Sequence, residues 1–440
     1  MKSLSSKVLV CTVALIALLL AVAPRVIGAG IEQATIDRLI ELIPPEAESQ
    51  LEIRRNDISS GWFRSSASIE LIFTPIGTDA IALVMDFDID HGPLLQTQNG
   101  LGVGLAYANI KPDIRNDLFD IALAELSFPL PDIMADLLVR FDQSVQLDMN
   151  ISEINYSGTQ GEMNFDGLNA SIHVDSDQSA RFVVNMGELA VTENAANSNV
   201  VVAGLAITSI TSQLNDMLAN SSATLSIPSL SSTAPISFSI SDIVVDYGLN
   251  GSPADPQSSE IYQTLSIANI EGSIPVRSLS WRSEIKQLKN ELLRDYYRLL
   301  NELQTEFNAD PEVYSEELLF LGQELLLIVL QNPLEINNFI AANAFDGDHT
   351  ADLRIEWTGL ETLASLSEVD TNAAIAAFDI TLEISLDLES ILRSPIAGLI
   401  DPYVQQGYLT ISNGRVTIEA SLQDSMLMVN GDQLPLDQFF

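Results

Sequence analysis

The sequence predicts a β-dominated α+β fold in which long, curved antiparallel sheets are covered by helices. The main indication is a period-two alternation of apolar and polar residues that recurs through much of the 440-residue chain. Two dipeptides, Asn413-Gly414 and Asn430-Gly431, each stand between short alternating stretches, as in two-residue hairpins. Apolar residues at helical spacing predict, in addition, a helical insertion around 281–345.

Residues 1–29 have the pattern of a membrane signal anchor. Lys2 and Lys7 precede an uncharged stretch over 8–24, and Arg25 follows it. This stretch is at the short end for a membrane-spanning helix, and the residues after it fit a cleavage site poorly. We therefore favour an uncleaved transmembrane helix, with a removed signal peptide as the alternative. Because lysines mark the cytoplasmic side, the body over 30–440 is expected to be exported, which in a bacterium means the periplasm.

Composition excludes several classes of function. The net charge of −40 repels phosphate backbones, so we expect no nucleic-acid partner. It is typical of a well-solvated surface, and it could also attract cationic partners or divalent ions loosely. The only cysteine, Cys11, lies inside the N-terminal apolar stretch. The rest of the chain therefore has no disulfide, zinc-thiolate site or cysteine nucleophile.

The predicted strands follow one another along the exported body. They span 62–75, 80–91, 100–110, 164–175, 181–192, 200–208, 236–247, 264–270, 352–357, 376–388 and 407–422. Alternation of this kind predicts sheets with one covered face and one solvent-facing side. No linker is evident, so the body is predicted to be one interwoven domain with a helical insertion.

Helices are predicted in two regions. A broken pair spans 114–125 and 131–142, and a longer region spans 281–330 with a restart after Asp310-Pro311. The first part of the longer region carries five basic residues, which are Arg282, Lys286, Lys289, Arg294 and Arg298. They form either a docking face for an acidic partner or a solvated face paired with the protein's own carboxylates.

Few residues could build a catalytic site. The three histidines, His91, His173 and His349, lie far apart in the sequence. His349 follows the acidic turn Asp346-Gly347-Asp348, which offers oxygen ligands but lacks the spacing of a calcium loop. The sequence contains no nucleophile elbow, phosphate-binding glycine loop or HExxH motif. We therefore predict no catalytic, cofactor-binding or metal-binding residue.

His91 has the most informative setting of the three histidines. If 80–91 forms a strand, His91 ends its apolar face, and the three aspartates between 86 and 90 share the opposite, wet face. Gly92 then allows the backbone to turn, and Pro93 prevents further ladder pairing. We interpret His91 as a structural plug that hydrogen-bonds nearby carbonyls, with a catalytic or metal-binding role as the alternative.

Several segments share motifs with a known family. They are Gly61-Trp62-Phe63-Arg64-Ser65-Ser66-Ala67, Asp90-His91-Gly92-Pro93-Leu94, Ser278-Leu279-Ser280-Trp281 and the ending over 427–440, with Asn430, Gly431 and Leu434. Together with the N-terminal apolar segment before Ile27-Gly28, they resemble the YdgA-like proteins, a bacterial family of unknown function. The resemblance spans nearly the whole chain. It implies a protein anchored in the inner membrane of the Gram-negative envelope, with a periplasmic body, and it transfers no activity.

The leading functional hypothesis is a non-enzymatic envelope protein that binds a lipid-like or protein partner on an extended β-sheet. One alternative is a periplasmic hydrolase or metal-dependent enzyme centred on His91. Another is a structural homo-oligomer that pairs through the basic helix 281–306. An open apolar trough would favour the first hypothesis, a polar pocket at His91 the second, and an exposed apolar helix stripe the third.

Overall fold

The computed structural model describes residues 51–435 with several gaps. The gaps are 75–80, 99, 116–131, 159–160, 195–196, 215, 235, 274, 297, 300–313, 362 and 364. The predicted anchor over 8–24 therefore lies outside the described residues, as does most of the predicted helix 114–125. Within the described residues, no helix combines the length and apolar character needed to cross a membrane.

Strands dominate the described chain, which confirms the β-dominated class. The first thirteen are β1 (Leu51–Ser60), β2 (Arg64–Phe73), β3 (Ile81–His91), β4 (Leu94–Thr97), β5 (Gly100–Val103), β6 (Ala106–Arg115), β7 (Ile133–Val139), β8 (Val145–Ile151), β9 (Ile154–Ser157), β10 (Gly161–Phe165), β11 (Leu168–Val174), β12 (Ala180–Met186) and β13 (Leu189–Glu193). The others are β14 (Ser198–Val202), β15 (Leu205–Thr211), β16 (Ser221–Ser232), β17 (Phe238–Gly251), β18 (Ser258–Gly272), β19 (Val276–Lys289), β20 (Leu334–Ala344), β21 (Gly347–Trp357), β22 (Phe378–Asp387), β23 (Thr410–Ser412), β24 (Arg415–Gln423), β25 (Met426–Val429) and β26 (Asp432–Leu434).

Helices occupy a smaller part of the chain. Those with described bounds are α1 (Tyr314–Gln331), α2 (Thr371–Ala376), α3 (Leu388–Leu392) and α4 (Ala397–Gln405), with a 3-10 turn at Leu366–Glu368. The chain is also helical over 290–296. Ile391 of α3 and Ile400 of α4 pack on the fully buried Val416 of β24. These two short helices therefore cover one end of a sheet face.

The chain divides into two compact units. The described part of the first unit comprises 51–154, 166–185 and 210–217, and that of the second comprises 155–165, 186–209 and 218–435. Each unit is thus assembled from three separate segments of the chain.

In the first unit, β1, β2, β3, β6, β7 and β8 are successive antiparallel neighbours, and β11 pairs with β8. Alternation places the apolar side chains of these strands on one face. Their core consists of Ile69, Phe87, Ala108, Ile110 and Ala135. Between β3 and β6 the chain forms a separate two-stranded hairpin, β4–β5.

In the second unit, β16 to β22 form an antiparallel meander in which each strand pairs with the next. β24 then pairs with β22 and β23, and β25 and β26 follow. The predicted hairpins are confirmed, because Asn413-Gly414 and Asn430-Gly431 turn between paired strands. All four residues have positive φ, between 50° and 89°, as a type I′ turn requires.

The predicted helical insertion around 281–345 is wrong at both ends. Residues 276–289 form β19, which pairs with β18 on one side and β20 on the other, and β20 occupies 334–344. The described helical residues between them are 290–296, 298–299 and α1. The spacing of Ile285, Leu288 and Leu292 fits a helix. However, Leu279, Trp281 and Ile285 also alternate as in a strand, and partner strands on both sides supply the backbone hydrogen bonds.

Arg282, Lys286 and Lys289 therefore lie on a strand, so three of the five basic residues assigned to the predicted helix 281–306 are not helical. Their charges are paired with the protein's own carboxylates. Lys289 lies 2.6 Å from Asp255, and Lys286 lies 3.1 Å from Glu284. The hydrogen bond to Glu284 raises the pKa of Lys286.

The predicted helix over 131–142 is also wrong, because residues 133–139 form β7 between β6 and β8. Some predicted strands are divided. The segment 100–110 becomes β5 and β6, since the chain turns back at Gly104 and Leu105. At 131–142, pairing of β7 with β6 and β8 outweighs the local helical propensity.

Candidate functional site

His91 closes the apolar face of β3 at the place that strand alternation predicts, and it is only 3% exposed. Its Nε2 lies 2.9 Å from the hydroxyl of Ser65, which is also buried. Its Nδ1 lies 3.3 Å from the carbonyl oxygen of Trp62. Because a carbonyl only accepts, Nδ1 carries a proton, and in the neutral ring Nε2 accepts from the Ser65 hydroxyl. Both ring nitrogens are thus engaged by β2 and the turn before it.

The backbone amides around His91 are also hydrogen-bonded. The amides of His91, Gly92 and Gly104 donate to the carbonyls of Phe63, Leu105 and Pro93, at 2.9, 2.8 and 3.2 Å. Gly92 must lack a side chain, because a Cβ there would lie 1.8 Å from the carbonyl oxygen of Gly104. Acyl-transfer catalysis needs free amide donors beside an accessible nucleophile. Here the amide donors are already hydrogen-bonded and the Ser65 hydroxyl is buried, so the arrangement fits a structural role better than a hydrolase site. We call the hydrogen-bonded contacts of His91 and Gly92 with the β1–β2 turn, Ser65 and the base of the β4–β5 hairpin the lock.

The other motif residues of the first unit belong to the same lock. Gly61 opens the turn between β1 and β2, and its amide donates to the carbonyl of Arg64 at 2.8 Å. Phe63 lies in that turn with its ring exposed. On the opposite face of β2 and β3, Arg64 binds the carboxylate of Asp90 at 2.6 Å. The three aspartates of β3 do lie on the face opposite His91.

His349 sits in a second serine–histidine contact, which is partly buried. Its Nε2 lies 3.1 Å from Ser390 Oγ and 3.0 Å from the carbonyl of Ala344, and its Nδ1 accepts from the amide of Asp387 at 3.4 Å. Ser390 is 0% exposed and its hydroxyl donates to the carbonyl of Asp387. The Ser390 hydroxyl therefore has no solvent access in this structure.

The acidic turn before His349 does not gather its carboxylates. Asp346 binds Arg277 at 2.8 Å, whereas Asp348 accepts from the side-chain amide of Asn343. His173 contacts Asp175 on the surface. Among the residues that the structure describes, no three histidine, cysteine or acidic side chains converge to hold a metal ion.

The second unit brings Trp281 and Leu434 onto one face of its sheet. A row of aliphatic residues, which we call the aliphatic row, crosses this face in register, one residue from each strand. Its members are Leu249, Ile261, Ile285, Ile336, Ile355, Ile380, Leu422, Leu427 and Leu434. At about 4.8 Å between strands, a row across nine strands extends about 38 Å.

A second row, the Trp281 row, runs parallel to the first, four residues away along each strand. Its members are Leu225, Val245, Leu265, Trp281, Ile340, Ala351, Ile384 and Ile418. Between the two rows lie the uncharged polar side chains of Gln263, Ser283 and Asn338, which we call the polar trio. Asn430-Gly431 makes the turn that aligns Leu434 with Leu427.

The centre of this face is open. Ile340 has a paired strand on either side and yet is 42% exposed. By contrast, α3 and α4 bury Val416 at one end of the same face. An isoleucine in the middle of a sheet is ordinarily covered, so the apolar face is uncovered around Ile340, whereas Leu249 at the end of the aliphatic row is buried.

The opposite face of the same strands is polar. It carries a groove of about 360 Å³ whose lining includes Arg282, Glu284, Asn337, Phe339, Asp352, Arg354, Thr381 and Glu383. Its charges pair locally, for example Arg354 with Glu356. Each strand therefore separates an apolar side from a charged side.

Sequence reasoning missed both rows. The alternation in 276–289 and 334–344 was a usable signal, but the helical interpretation of 281–345 concealed it. The alignment of Ile285 with Ile336 and Ile355 depends on strand register, which no local pattern specifies.

Comparison with known proteins places nearly the whole chain in one family. No curated protein and no solved structure matches the sequence. A family model described as "Bacterial protein of unknown function (DUF945)" matches residues 5–437. That match covers the locked turn at His91, both rows of the second unit and the closing hairpin. The chain therefore belongs to the DUF945 family of bacterial proteins of unknown function.

Proposed function

We propose that this protein is a non-enzymatic envelope protein that holds a lipid-like ligand on the apolar face of its second unit. The observation that carries the proposal is the 42% exposure of Ile340, which lies in the middle of the Trp281 row. An extended acyl chain could lie along either row and cover it.

The chemistry of the face favours an acyl chain over a protein partner. The aliphatic row contains only leucine and isoleucine, whereas protein interfaces are enriched in aromatic residues and arginine. Each methylene that such a surface removes from water contributes about 0.8 kcal/mol. The polar trio then offers hydrogen bonds to an uncharged ester or amide between the rows. The ligand class is therefore an uncharged amphiphile with a long chain.

The setting of His91 supports the non-enzymatic part of the proposal, since its partners Ser65 and Trp62 bind it within a buried lock. The same holds for His349 and the fully buried Ser390. His91 and His349 each use both ring nitrogens to hold strands and turns together.

We infer the location from the N-terminus. The basic and apolar order of residues 1–29 supports a single-pass anchor in the bacterial inner membrane, with a periplasmic body. The motif resemblance to YdgA-like proteins supports the same placement. A protein held at a membrane has direct access to lipids.

The test uses the full chain and a brominated monoacylglycerol, which quenches tryptophan fluorescence on contact. The signal of Trp281 is obtained by subtracting the spectrum of the Trp281→Phe variant. We expect saturable quenching of Trp281, and we expect Ile340→Lys to weaken it about tenfold or more, because the ammonium would be buried by the ligand.

Asp352→Lys is the control, since it places a lysine on the opposite face of the neighbouring strand. It should bind as the parent does. Equal quenching in parent, Ile340→Lys and Asp352→Lys, with all three folded by circular dichroism, would overturn the proposal.

A further inference from the structure

One end of the first unit's sheet carries an unusual concentration of exposed apolar side chains. They are Trp62, Phe63, Leu94, Leu101, Val103 and Phe141, each more than half exposed. They come from the β1–β2 turn, the β4–β5 hairpin and the β7–β8 turn. Register places these connections at the same end, because Arg64, Asp90, Tyr107 and Leu138 are successive partners.

The β4–β5 hairpin has two unlike sides. Leu95 points inward and is only 1% exposed. Leu94 pairs with Val103, and Gln96 pairs with Leu101, so these side chains share the other side. Leu101 is 88% exposed, the largest value among the exposed large apolar residues of the described chain. The hairpin is thus anchored by one leucine while its outer side is bare.

The hairpin is also free of charge. Residues 92–105 contain no acidic or basic side chain, although the chain carries 60 acidic and 20 basic residues. Charged side chains near the hairpin, such as Arg64, Asp90 and Asp142, contact other groups of the protein. Arg64 pairs with Asp90, and Asp142 accepts from the amide and hydroxyl of Ser144. Because moving a charged group into an apolar medium is costly, an uncharged stretch on so acidic a protein favours contact with an apolar medium.

We propose that this end, which we call the apolar tip, inserts into the interfacial layer of a lipid bilayer. Leu101, Leu94 and Val103 enter the acyl boundary, and the rings of Trp62 and Phe63 lie at the headgroup level, where aromatic side chains are favoured. A protein partner would be expected to bring charge complementarity to a chain of net charge −40, and the tip offers no charged side chain for it. The inference is separate from the proposed ligand on the second unit.

The motif residues of the first unit then have a common role. Gly61, Ser65, His91, Gly92 and Pro93 build the lock from which the tip projects. The amide of Gly92 bonds Leu105, and the amide of Gly104 bonds Pro93, so the base of the hairpin is pinned on both strands. These hydrogen bonds restrain the orientation of the tip relative to the sheet of the first unit.

The test uses site-specific labels in the full chain. Cys11 is the only cysteine, so a Cys11→Ala parent accepts a single new one. A polarity-sensitive fluorophore is attached at Leu101→Cys, or at Phe73→Cys as the control. Phe73 is 42% exposed and lies at the opposite end of β2, about 30 Å away along the strand. The protein is reconstituted in phosphatidylcholine vesicles containing a lipid with a spin label on its acyl chain.

We expect the spin-labelled lipid to quench the fluorophore at position 101 at least about threefold more than at position 73. Aqueous iodide should show the reverse order. A second chain carries the fluorophore at Leu94→Cys. Adding Leu101→Asp to this chain should reduce lipid quenching by about the same factor, while its melting temperature stays equal to that of the labelled parent. Equal lipid quenching at positions 101 and 73 would overturn the proposal. So would shielding of position 101 by a second copy, detected as disulfide-linked dimers of the unlabelled Leu101→Cys chain.

Discussion

The hydroxyl of Ser65 lies 2.9 Å from Nε2 of His91, between two paired strands, and both groups are buried. The other ring nitrogen of His91 bonds the carbonyl of Trp62, so the histidine ties a strand to the turn that precedes it. Buried polar groups of this kind stabilise a fold only while every partner is present. The pair therefore makes the first unit sensitive to changes that leave its apolar core untouched.

Replacing His91 by glutamine should lower the free energy of unfolding by about 1–2 kcal/mol. Glutamine keeps a donor and an acceptor, but it cannot bond Ser65 and the Trp62 carbonyl together and still pack as the ring does. Thermal denaturation of the full chain measures the change. Asp88→Asn, on the exposed face of the same strand, should change stability by less than about 0.5 kcal/mol. A His91→Gln protein that melts with the parent would show that the lock is not structural.

Replacing Gly92 by alanine should be more damaging, costing about 3 kcal/mol or preventing folding. The new Cβ would lie 1.8 Å from the carbonyl oxygen of Gly104, which is backbone and cannot move without breaking the hairpin base. Gly398→Ala is the control, because a Cβ there meets no atom within 4 Å and the residue lies in α4. That variant should be neutral or slightly stabilised. Similar denaturation midpoints for the two variants would contradict the close approach at Gly92.

Asn430 has two separable contributions to the closing hairpin. Its backbone has φ of 50°, its side-chain oxygen accepts from the amide of Glu419 at 2.9 Å, and its side-chain amide donates to the carbonyl of Gly407 at 3.0 Å. Asn430→Gly keeps the turn but loses both bonds, and should cost about 1–2 kcal/mol. Asn430→Ala also loses the tolerance of positive φ and should cost about 1 kcal/mol more. Denaturant titration orders the three proteins, and an alanine variant as stable as the glycine variant would refute the turn contribution.

Asp255 should give the second unit an acid-sensitive element. Its carboxylate accepts from Lys289, from the amide of Gln257 and from the hydroxyl of Ser258. These bonds, that of Lys289 foremost, lower the pKa of Asp255 to about 2. An unfolded aspartate titrates near about 3.9, so the contribution is present above that pH and is lost as the pH falls towards about 2.

Melting temperatures of the parent and of Asp255→Asn, measured from neutral pH downwards, test this element. The parent should melt higher at neutral pH, and its advantage should narrow between about pH 4 and about pH 2. The comparison variant is Asp88→Asn. Asp88 lies 3.6 Å from the exposed Lys111, and removing this surface ion pair should have little effect on the melting temperature. An advantage that stayed constant down to about pH 2 would contradict the depressed pKa.

Features that depend on a few neighbouring residues could be predicted from the sequence alone. The Asn-Gly pairs at 413 and 430 specify their turns, because few residues adopt positive φ at low cost. Alternation along β3 likewise placed His91 on the apolar face and the aspartates on the other. These are properties of a short stretch of backbone, and tertiary contacts did not change them.

Features that join distant segments were decided only by the tertiary structure. Ile285 and Leu288 fit a helix by spacing, but β18 and β20 bind the segment from both sides, and pairing outweighs a local preference of a few tenths of a kcal/mol. The exposed Ile340 and the bare side of the hairpin at Leu101 are outcomes of which strands pair and in what register. A shift of one residue in any strand would move its apolar side chains to the charged face, so no single segment specifies these surfaces.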